Sequence, residues 1–303
     1  MNNLRVVITG ASGFIGIQLT ERLSKFKFEV LAICRTRPNN QPISSVQWLE
    51  ADLSSPSTYK DKIRSFCPAV IIHLAWQDIP DFSYEKSILN QDQSLKFLSF
   101  VTGLESCKKI LVSGSCWEFG KTQGECLETD IGISKNDYTW AKHSIRSWLE
   151  MTCLKKGISF GWFRIFYVYG PRQRSGSLIP SILANLKNGE LPHIKTPSNA
   201  NDFIFVEDVV DAFASATNKE FLSGLYNLGT GTSTSVLEVC RYAEKIVCGS
   251  DRLTQQLEKK SKSSGSNIDF WAGIKITKKK LCWEPKTNLI NGITKTWHYL
   301  NTL

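Results

Sequence analysis

The chain has 303 residues, of which 42% are hydrophobic and 21% charged, a composition typical of soluble globular proteins with a large core. No apolar run approaches the roughly 18 residues of a membrane span, and a strand begins almost at once, so we expect neither a membrane anchor nor a signal peptide. The net charge of +9 raises the question of nucleic acid, but much of the excess lies near the C-terminal end, which favours a solvated face and no nucleic-acid partner.

Strand and helix patterns alternate through the first half of the chain. Short apolar runs predict five strands, at Leu4–Ile8, Phe28–Cys34, Val46–Leu49, Ala69–Ala75 and Ile110–Val112. Leu19 and Leu23 recur at helical spacing after the first strand, and residues 96–101 lie in a long helical stretch before the fifth. This alternation predicts an α/β fold with a Rossmann-type, doubly wound parallel sheet.

The second half is less regular. Its predicted elements are a helix from the Asn136-Asp137 cap to Gly157, a strand at Phe160–Val168, a helix at Ile179–Leu186, a strand at Phe203–Val206, a helix at Glu207–Ala216 that Asp208 caps, and a strand at Leu225–Leu228. We expect a dinucleotide-binding domain at residues 1–169, to which 203–229 returns. Residues 170–303 are expected to form mainly a smaller substrate-binding lobe.

The nine cysteines are an odd number and include no C-x-x-C pair. Scattered thiols of this kind are typical of the reducing cytoplasm rather than of disulfide frameworks or zinc sites. We therefore expect a cytoplasmic protein with reduced cysteines and no metal.

A glycine-rich turn joins the first predicted strand to the first helix. It contains Gly10, Ser12, Gly13, Phe14, Ile15 and Gly16. Glycine allows a tight turn and a close approach of phosphates to the backbone, and the helix N-terminus supplies free N–H donors. In this context the motif predicts a site for a dinucleotide pyrophosphate.

Tyr138 and Lys142 are four residues apart on a predicted helix and therefore share one face. A neighbouring ammonium favours phenolate, so we expect the pKa of Tyr138 to fall from about 10 towards neutrality. Tyr138 is then a candidate general acid for a carbonyl oxygen, with Lys142 as its electrostatic partner. Ser113 and Ser115 follow the fifth strand, at the sheet edge where ligands bind, and a serine there completes a Ser–Tyr–Lys set.

These ordered motifs resemble the extended short-chain dehydrogenases/reductases of the NAD-dependent epimerase/dehydratase type, which act on nucleotide sugars. The resemblance runs nearly end to end. It includes Gly10/Gly13/Gly16, Asp52-Leu53, His73-Leu74-Ala75, Ser115, Tyr138, Lys142, Arg164, Tyr169-Gly170-Pro171-Arg172, the segments 202–209 and 226–231, and Leu281-Cys282-Trp283-Glu284-Pro285.

The resemblance implies roles for individual residues. Asp52 and Leu53 are expected at the adenine, and Leu74, Ala75 and Trp76 on the nicotinamide side. Lys142 is expected to hold the nicotinamide ribose, with Ser115 and Tyr138 at the substrate carbonyl. Two long helices, here around 89–104 and 138–155, often pair across subunits in relatives, which implies a homodimer.

Departures from the family pattern bear on the cofactor and the reaction. Members that prefer NAD usually close the second strand with an acidic residue, whereas this chain has Arg35 and Arg37, which suit a 2′-phosphate. We therefore expect NADP(H) to be favoured over NAD(H), with solvated loop arginines as the alternative. Dehydratases carry Asp-Glu after the catalytic hydroxyl, and Cys116-Trp117 at that place argues against a 4,6-dehydratase.

The substrate side also departs from the pattern. A frequent family asparagine is Tyr167 here, and an arginine that often precedes Asp-Phe-Ile is Asn201. Both positions commonly serve the nucleotide diphosphate, and Arg172 offers a compensating cation. Trp76 and Trp117 flank the expected crevice, although packing also accounts for tryptophans. We assign Trp76, Trp117, Tyr167 and Arg172 to the substrate site.

The sequence thus predicts NADP(H)-dependent reduction of a nucleoside-diphosphate 4-keto-6-deoxy sugar by Ser–Tyr–Lys acid/base chemistry. An NAD-dependent nucleotide-sugar 4-epimerase uses the same triad and stays open, as does reduction of a non-sugar ketone. A non-catalytic dinucleotide-binding sensor is the remaining alternative, although such proteins usually lack the tyrosine–lysine pair.

Overall fold

The computed structural model describes residues 4–26, 28–38, 45–218, 223–260 and 268–302. Its strands, in chain order, are β1 (Leu4–Thr9), β2 (Phe28–Cys34), β3 (Val46–Glu50), β4 (Val70–His73), β5 (Lys109–Ser115), β6 (Gln123–Cys126), β7 (Ser159–Ile165), β8 (Tyr167–Tyr169), β9 (Ala200–Asn201), β10 (Phe203–Phe205), β11 (Gly224–Leu228), β12 (Thr234–Ser235) and β13 (Asp269–Ala272). Its helices are α1 (Phe14–Ser24), α2 (Lys60–Phe66), α3 (Tyr84–Val101), α4 (Asp137–Lys156), α5 (Leu178–Lys187), α6 (Val206–Thr217), α7 (Val236–Cys248), α8 (Arg252–Lys260), α9 (Lys275–Leu281) and α10 (Leu289–Leu300). Pro56–Thr58 and Cys116–Phe119 form short 3-10 helices.

The main sheet, within the described residues, contains seven parallel strands in the order β11-β7-β5-β4-β1-β2-β3. The chain adds strands on one side of β1 up to β3 and then crosses to β4 on the other side. At such a reversal the carboxyl ends of the strands open a crevice in which ligands bind. The predicted Rossmann-type, doubly wound parallel sheet is confirmed.

Apolar layers cover both faces of this sheet. Val6 and Ile8 of β1 enter the layer formed by α1 and α6, whereas Val7 enters the layer formed by α2, α3 and α4. Successive strand side chains point to opposite faces, and burial on both faces explains why the central strands are almost wholly apolar.

A further group of helices and short strands packs outside the main sheet. Helices α5, α7 and α10 share a third apolar cluster with β8 and β10. In the described part of the chain, β10 pairs with β8 in a two-stranded sheet, and a four-stranded sheet has the order β12-β9-β13-β6. Strand β11 returns to the main sheet beside β7.

Two local predictions are wrong. The strand expected at Phe160–Val168 is two strands, because the main-sheet pairing with β11 ends at the bond from the Phe166 N–H to the Leu228 carbonyl. The Tyr167 N–H then donates to the Asp202 carbonyl, and β8 pairs with β10 instead of continuing in the main sheet. Asp208 does not cap its own helix. It lies in the first turn of α6, where its carboxylate accepts the backbone N–H groups of Lys286 and Thr287 at 2.9 and 3.0 Å. The partners are remote in sequence, so no local pattern signals them.

Among the described residues, none of the helices combines the length and apolarity needed to cross a membrane. The same ranges hold no cluster of three or more His, Cys, Asp or Glu side chains that could bind a metal ion. All nine cysteines lie within these ranges, and each is a free thiol.

Candidate active site

The crevice starts at the glycine-rich turn between β1 and α1. Gly10 has φ of +68°, and a Cβ there would lie 2.8 Å from the Ala75 nitrogen. A Cβ on Gly16 would lie 2.1 Å from the Gly10 carbonyl oxygen, so neither position accommodates a side chain. Gly13 is the N-cap of α1 and no side chain caps that helix. The N–H groups of its first turn are thus left for an anion, and this arrangement fits a dinucleotide pyrophosphate.

A cavity of about 240 Å³ extends from this turn across the ends of β2 and β3. Its walls are made partly of residues expected to bind cofactor. These are Gly10, Ser12, Gly13, Arg35, Asp52, Leu53, Ala75 and Trp76. The Asp52 carboxylate accepts the Ser54 N–H at 2.8 Å, and this hydrogen bond lowers the pKa of Asp52.

Polar residues that the sequence reasoning missed line the same cavity. Asn90, Gln93 and Ser94 lie on α3 and are buried, and Gln77 follows β4. Asn90, Gln93 and Ser94 are three and four residues apart and therefore form a polar stripe on the buried side of α3. This spacing of polar residues could have been recognised in the sequence.

The two arginines that follow β2 differ in position. Arg35 lines this first cavity and donates from Nη1 to Oε1 of Gln77 at 3.0 Å. Arg37 does not line this cavity, and its backbone N–H donates to Oε1 of Glu50 at 3.3 Å. Arg35 is therefore the better placed of the two for an anionic ligand group in this cavity.

A second cavity, of about 490 Å³, adjoins the first and shares Gly10, Gly13 and Trp76 with it. Its walls include other predicted residues, namely Phe14, Ile15, Gly16, Leu74 and Arg172. Arg172 pairs with Glu21 of α1, Nη1 to Oε1, at 2.6 Å. Arg174, on the same wall, donates to the Ile79 carbonyl. The cleft thus passes from the first cavity, over the glycines, to a roomier end with two cations.

Strand β5 and helix α4 bring Ser115, Tyr138 and Lys142 together beside this roomier end. The Ser115 side chain faces the Tyr138 phenol and lowers its pKa, against the rise that burial causes. The Lys142 ammonium donates to the Ser113 carbonyl at 2.9 Å and lies 4.2 Å from the centre of a Trp76 ring. It is 5.9 Å from the centre of the Tyr138 ring. The predicted Ser–Tyr–Lys set is therefore assembled as one cluster.

The protonation of this cluster differs from the sequence expectation. We expected Lys142 to lower the pKa of Tyr138, and this expectation is wrong. Tyr138 is only 8% exposed, and its burial raises the pKa. Burial also lowers the pKa of Lys142 to about 8. The reason is that the ammonium points at the Ser113 carbonyl and the Trp76 ring, while aromatic rings exclude water from the phenol. At neutral pH Tyr138 therefore holds its proton beside a cationic Lys142.

Aromatic rings surround the Tyr138 phenol. The ring centre of Tyr138 lies 5.0 Å from that of Trp76, 4.8 Å from that of Phe82 and 6.2 Å from that of Trp117. The Trp117 indole donates to the Tyr167 hydroxyl at 3.3 Å. Trp117 and Tyr167 line neither of these two cavities. Trp117 packs beside the phenol ring, and Tyr167 contacts Trp117. Phe82 was missed because it sits in a loop without any local motif.

Comparisons with known proteins agree with this geometry. Residues 6–229 match the NAD dependent epimerase/dehydratase family. CDP-abequose synthase of Salmonella muenchen is 23% identical over 83% of each chain, and an uncharacterised UDP-glucose epimerase of Bacillus subtilis is 25% identical over 99% of each.

Solved structures show the same fold. UDP-glucose 4-epimerase of Thermotoga maritima, in complex with UDP-glucose, has a TM-score of 0.84 at 21% identity, with 99% of both chains covered. UDP-glucuronic acid 4-epimerase of Bacillus cereus, in complex with NAD, has a TM-score of 0.82 at 20% identity, also with 99% of both chains covered. Since the family match spans most of the chain, this protein is an enzyme of the NAD-dependent epimerase/dehydratase family of extended short-chain dehydrogenases/reductases, as its motifs indicated.

Proposed function

We propose that this enzyme reduces the keto group of a nucleoside-diphosphate 4-keto-6-deoxy sugar with NADP(H) as the favoured cofactor. The observation that carries the proposal is the cluster of Ser115, Tyr138 and Lys142 at the end of a cleft whose adenosine side presents Arg35. The cluster would supply acid catalysis at a carbonyl, and Arg35 would select the cofactor.

The chain's own residues would manage the proton. A bound nicotinamide cofactor supplies the hydride that reduction of a ketone consumes. Tyr138, protonated because burial raises its pKa, gives its phenolic proton to the carbonyl oxygen as negative charge develops there. The Ser115 hydroxyl donates a hydrogen bond to the same oxygen, and the Lys142 ammonium stabilises the phenolate that remains. The product is the alcohol.

The cofactor would lie along the two cavities. The uncapped N-terminus of α1 and the Gly10–Gly16 turn would hold the pyrophosphate, and Asp52 and Leu53 would meet the adenine. Leu74, Ala75 and Trp76 would line the nicotinamide side. Arg35 offers a guanidinium to a ribose 2′-phosphate, and a carboxylate that would reject that phosphate is missing from the end of β2, which closes with Ile33 and Cys34.

The walls of the site support a deoxy sugar. Trp76, Phe82 and Trp117 present apolar ring surface around the reacting phenol, and such surface packs against C–H groups and a C6 methyl better than against hydroxyls. Arg172 and the lobe of residues 170–303 would hold the nucleotide part. CDP-abequose synthase, a relative over 83% of the chain, is named for a CDP-linked sugar, which supports this substrate class.

A spectrophotometric assay tests the proposal. Purified protein with NADPH and a dTDP- or CDP-4-keto-6-deoxy sugar is expected to lose absorbance at the reduced-nicotinamide band, and Tyr138→Phe is expected not to. No loss of absorbance with either NADPH or NADH across such substrates would overturn the proposal.

A 4-epimerase is the second candidate. It is favoured by the match over 99% of both chains to a relative named as a UDP-glucose epimerase. Denaturing the purified protein and identifying the cofactor it releases separates the two functions. Retained NAD together with interconversion of UDP-sugars would replace the reductase by the epimerase.

We further propose a homodimer that forms through α3 and α4, which pack side by side. Trp140, Met151 and Leu154 of α4 are exposed there despite being apolar. Sedimentation velocity is expected to give a dimer, and Leu154→Glu to weaken it. A monomer at micromolar concentration would contradict this.

A further inference from the structure

A buried carboxylate lies directly beneath the Ser–Tyr–Lys cluster. Glu118, in the 3-10 helix that follows β5, has an exposure of 0%. Its Oε1 accepts the Ser115 N–H at 2.7 Å, and the Trp162 indole N–H lies 3.0 and 2.9 Å from its two oxygens. The Arg164 Nε is 3.8 Å from Oε2. An ionised, fully buried acid is costly, so this one is paired and hydrogen-bonded.

The backbone of β5 makes room for this carboxylate. A Cβ on Gly114 would lie 2.5 Å from Oε1 of Glu118 and 2.2 Å from the Trp162 indole nitrogen. Gly114 has no left-handed φ that would call for glycine. Glycine is therefore required at this position because Glu118 and Trp162 fill the space that a side chain would occupy. Gly114, Glu118 and Trp162 pack together next to Ser115.

The charge of Glu118 reaches the acid/base pair. It raises the pKa of Lys142 against the lowering by burial, and it also raises the pKa of Tyr138. His73, which faces Lys142 from β4, is held neutral because burial lowers its pKa to about 3. The other titratable or charged groups around Lys142, Tyr138 and Glu118 are Cys116, His143, Arg146 and Arg164.

We infer that Glu118 is a positioning residue, which fixes the Ser115 backbone through its N–H and supplies the counter-charge that keeps Lys142 cationic. It does not touch substrate, because it is fully buried. This inference rests on the proposed function, since the proton transfer is what Ser115 and Lys142 serve.

Glu118→Gln tests the inference, because it keeps the shape of the side chain and removes the charge. Titration of Lys142 by NMR in 13C-lysine-labelled protein, with the signal assigned through Lys142→Met, needs no substrate. We expect the pKa of Lys142 to fall by about one unit, since an opposite charge that raises it is lost. In the reductase assay kcat is expected to fall about tenfold with KM changed less than about twofold, and the alkaline limb of the pH profile to move to lower pH.

A matched control is Glu244→Gln, which neutralises another buried carboxylate, in α7, that accepts N–H groups from Leu253 and Thr254. It is expected to leave the titration of Lys142 and kcat unchanged. If Glu118→Gln does not fold, Trp162→Phe keeps the charge and removes one anchor. It is then expected to lower kcat severalfold while Lys142 titrates as in wild type.

The outcomes separate this inference from the proposed function. A wild-type protein that neither reduces 4-keto sugars nor epimerises sugar nucleotides removes the proposed function, while the titration still decides the electrostatic role of Glu118. If Lys142 titrates in Glu118→Gln as it does in Glu244→Gln, the inference is overturned. In an active enzyme, an unchanged kcat in Glu118→Gln, or in Trp162→Phe where that variant is used, also overturns it.

Discussion

Lys142 carries a stability cost that its removal is expected to reveal. The residue is 5% exposed, and burial lowers its pKa from 10.5 to about 8. At about 1.4 kcal/mol per unit, this lowering corresponds to about 3 kcal/mol of lost folding stability when the lysine is charged. Lys142→Met removes that cost but leaves the Ser113 carbonyl without its donor, which costs about 1 kcal/mol. We expect the variant to be inactive and about 2 kcal/mol more stable than wild type at pH 7.

The stability cost of burying Lys142 depends on pH. Because the pKa is lower in the folded than in the unfolded state, the unfolded chain binds the proton more tightly between pH 8 and 10.5. The cost is therefore fully present below pH 8 and disappears as the pH rises towards 10.5. The stability advantage of Lys142→Met is expected to shrink over the same window.

Urea unfolding at pH 7 and pH 10 measures this difference. Lys109→Met is the matched control, since burial lowers the pKa of Lys109 to about 8 as well. Its ammonium, however, donates to the carbonyls of Ala216, Thr217 and Asn218 at the end of α6. At about 1 kcal/mol each, the loss of these three bonds offsets the relief of about 3 kcal/mol from removing the buried charge, so Lys109→Met is expected to have about wild-type stability at pH 7. A Lys142→Met protein less stable than wild type at pH 7, or with the same advantage at both pH values, would refute the reasoning.

Three further outcomes are expected. Tyr138→Phe lowers kcat by roughly a thousandfold because the proton donor is lost, while calorimetry gives an unchanged cofactor affinity; a smaller drop than tenfold speaks against Tyr138 as the acid. Arg35→Asp lowers the ratio of kcat/KM with NADPH to that with NADH by about a hundredfold, since a guanidinium is replaced by a charge that repels the 2′-phosphate; an unchanged ratio removes Arg35 from cofactor selection. Asp202→Asn costs about 2 kcal/mol in urea unfolding, because its carboxylate accepts the N–H groups of Thr230, Gly231 and Ala272 and an amide turns a donor towards them; wild-type stability contradicts this.

The local patterns of the sequence determined the fold class and the approximate bounds of its strands and helices. Strand β2 has the predicted bounds, and α4 begins after the Asn136 cap and ends at Gly157 as expected. Caps, turns and alternating elements act between residues close in the chain, so their signals can be read from the sequence alone. The glycine-rich turn and the four-residue spacing of Tyr138 and Lys142 are signals of the same kind.

Only the tertiary structure decided what surrounds these residues. Phe82 reaches Tyr138 from a loop, Glu118 meets Trp162 across 44 positions of sequence, and β8 leaves the main sheet for β10. The direction of the pKa shift of Tyr138 was also decided by the tertiary structure, because burial by rings remote in sequence outweighs the nearby ammonium. Desolvation depends on everything packed around a group, and the neighbours along the chain specify only a small part of that environment.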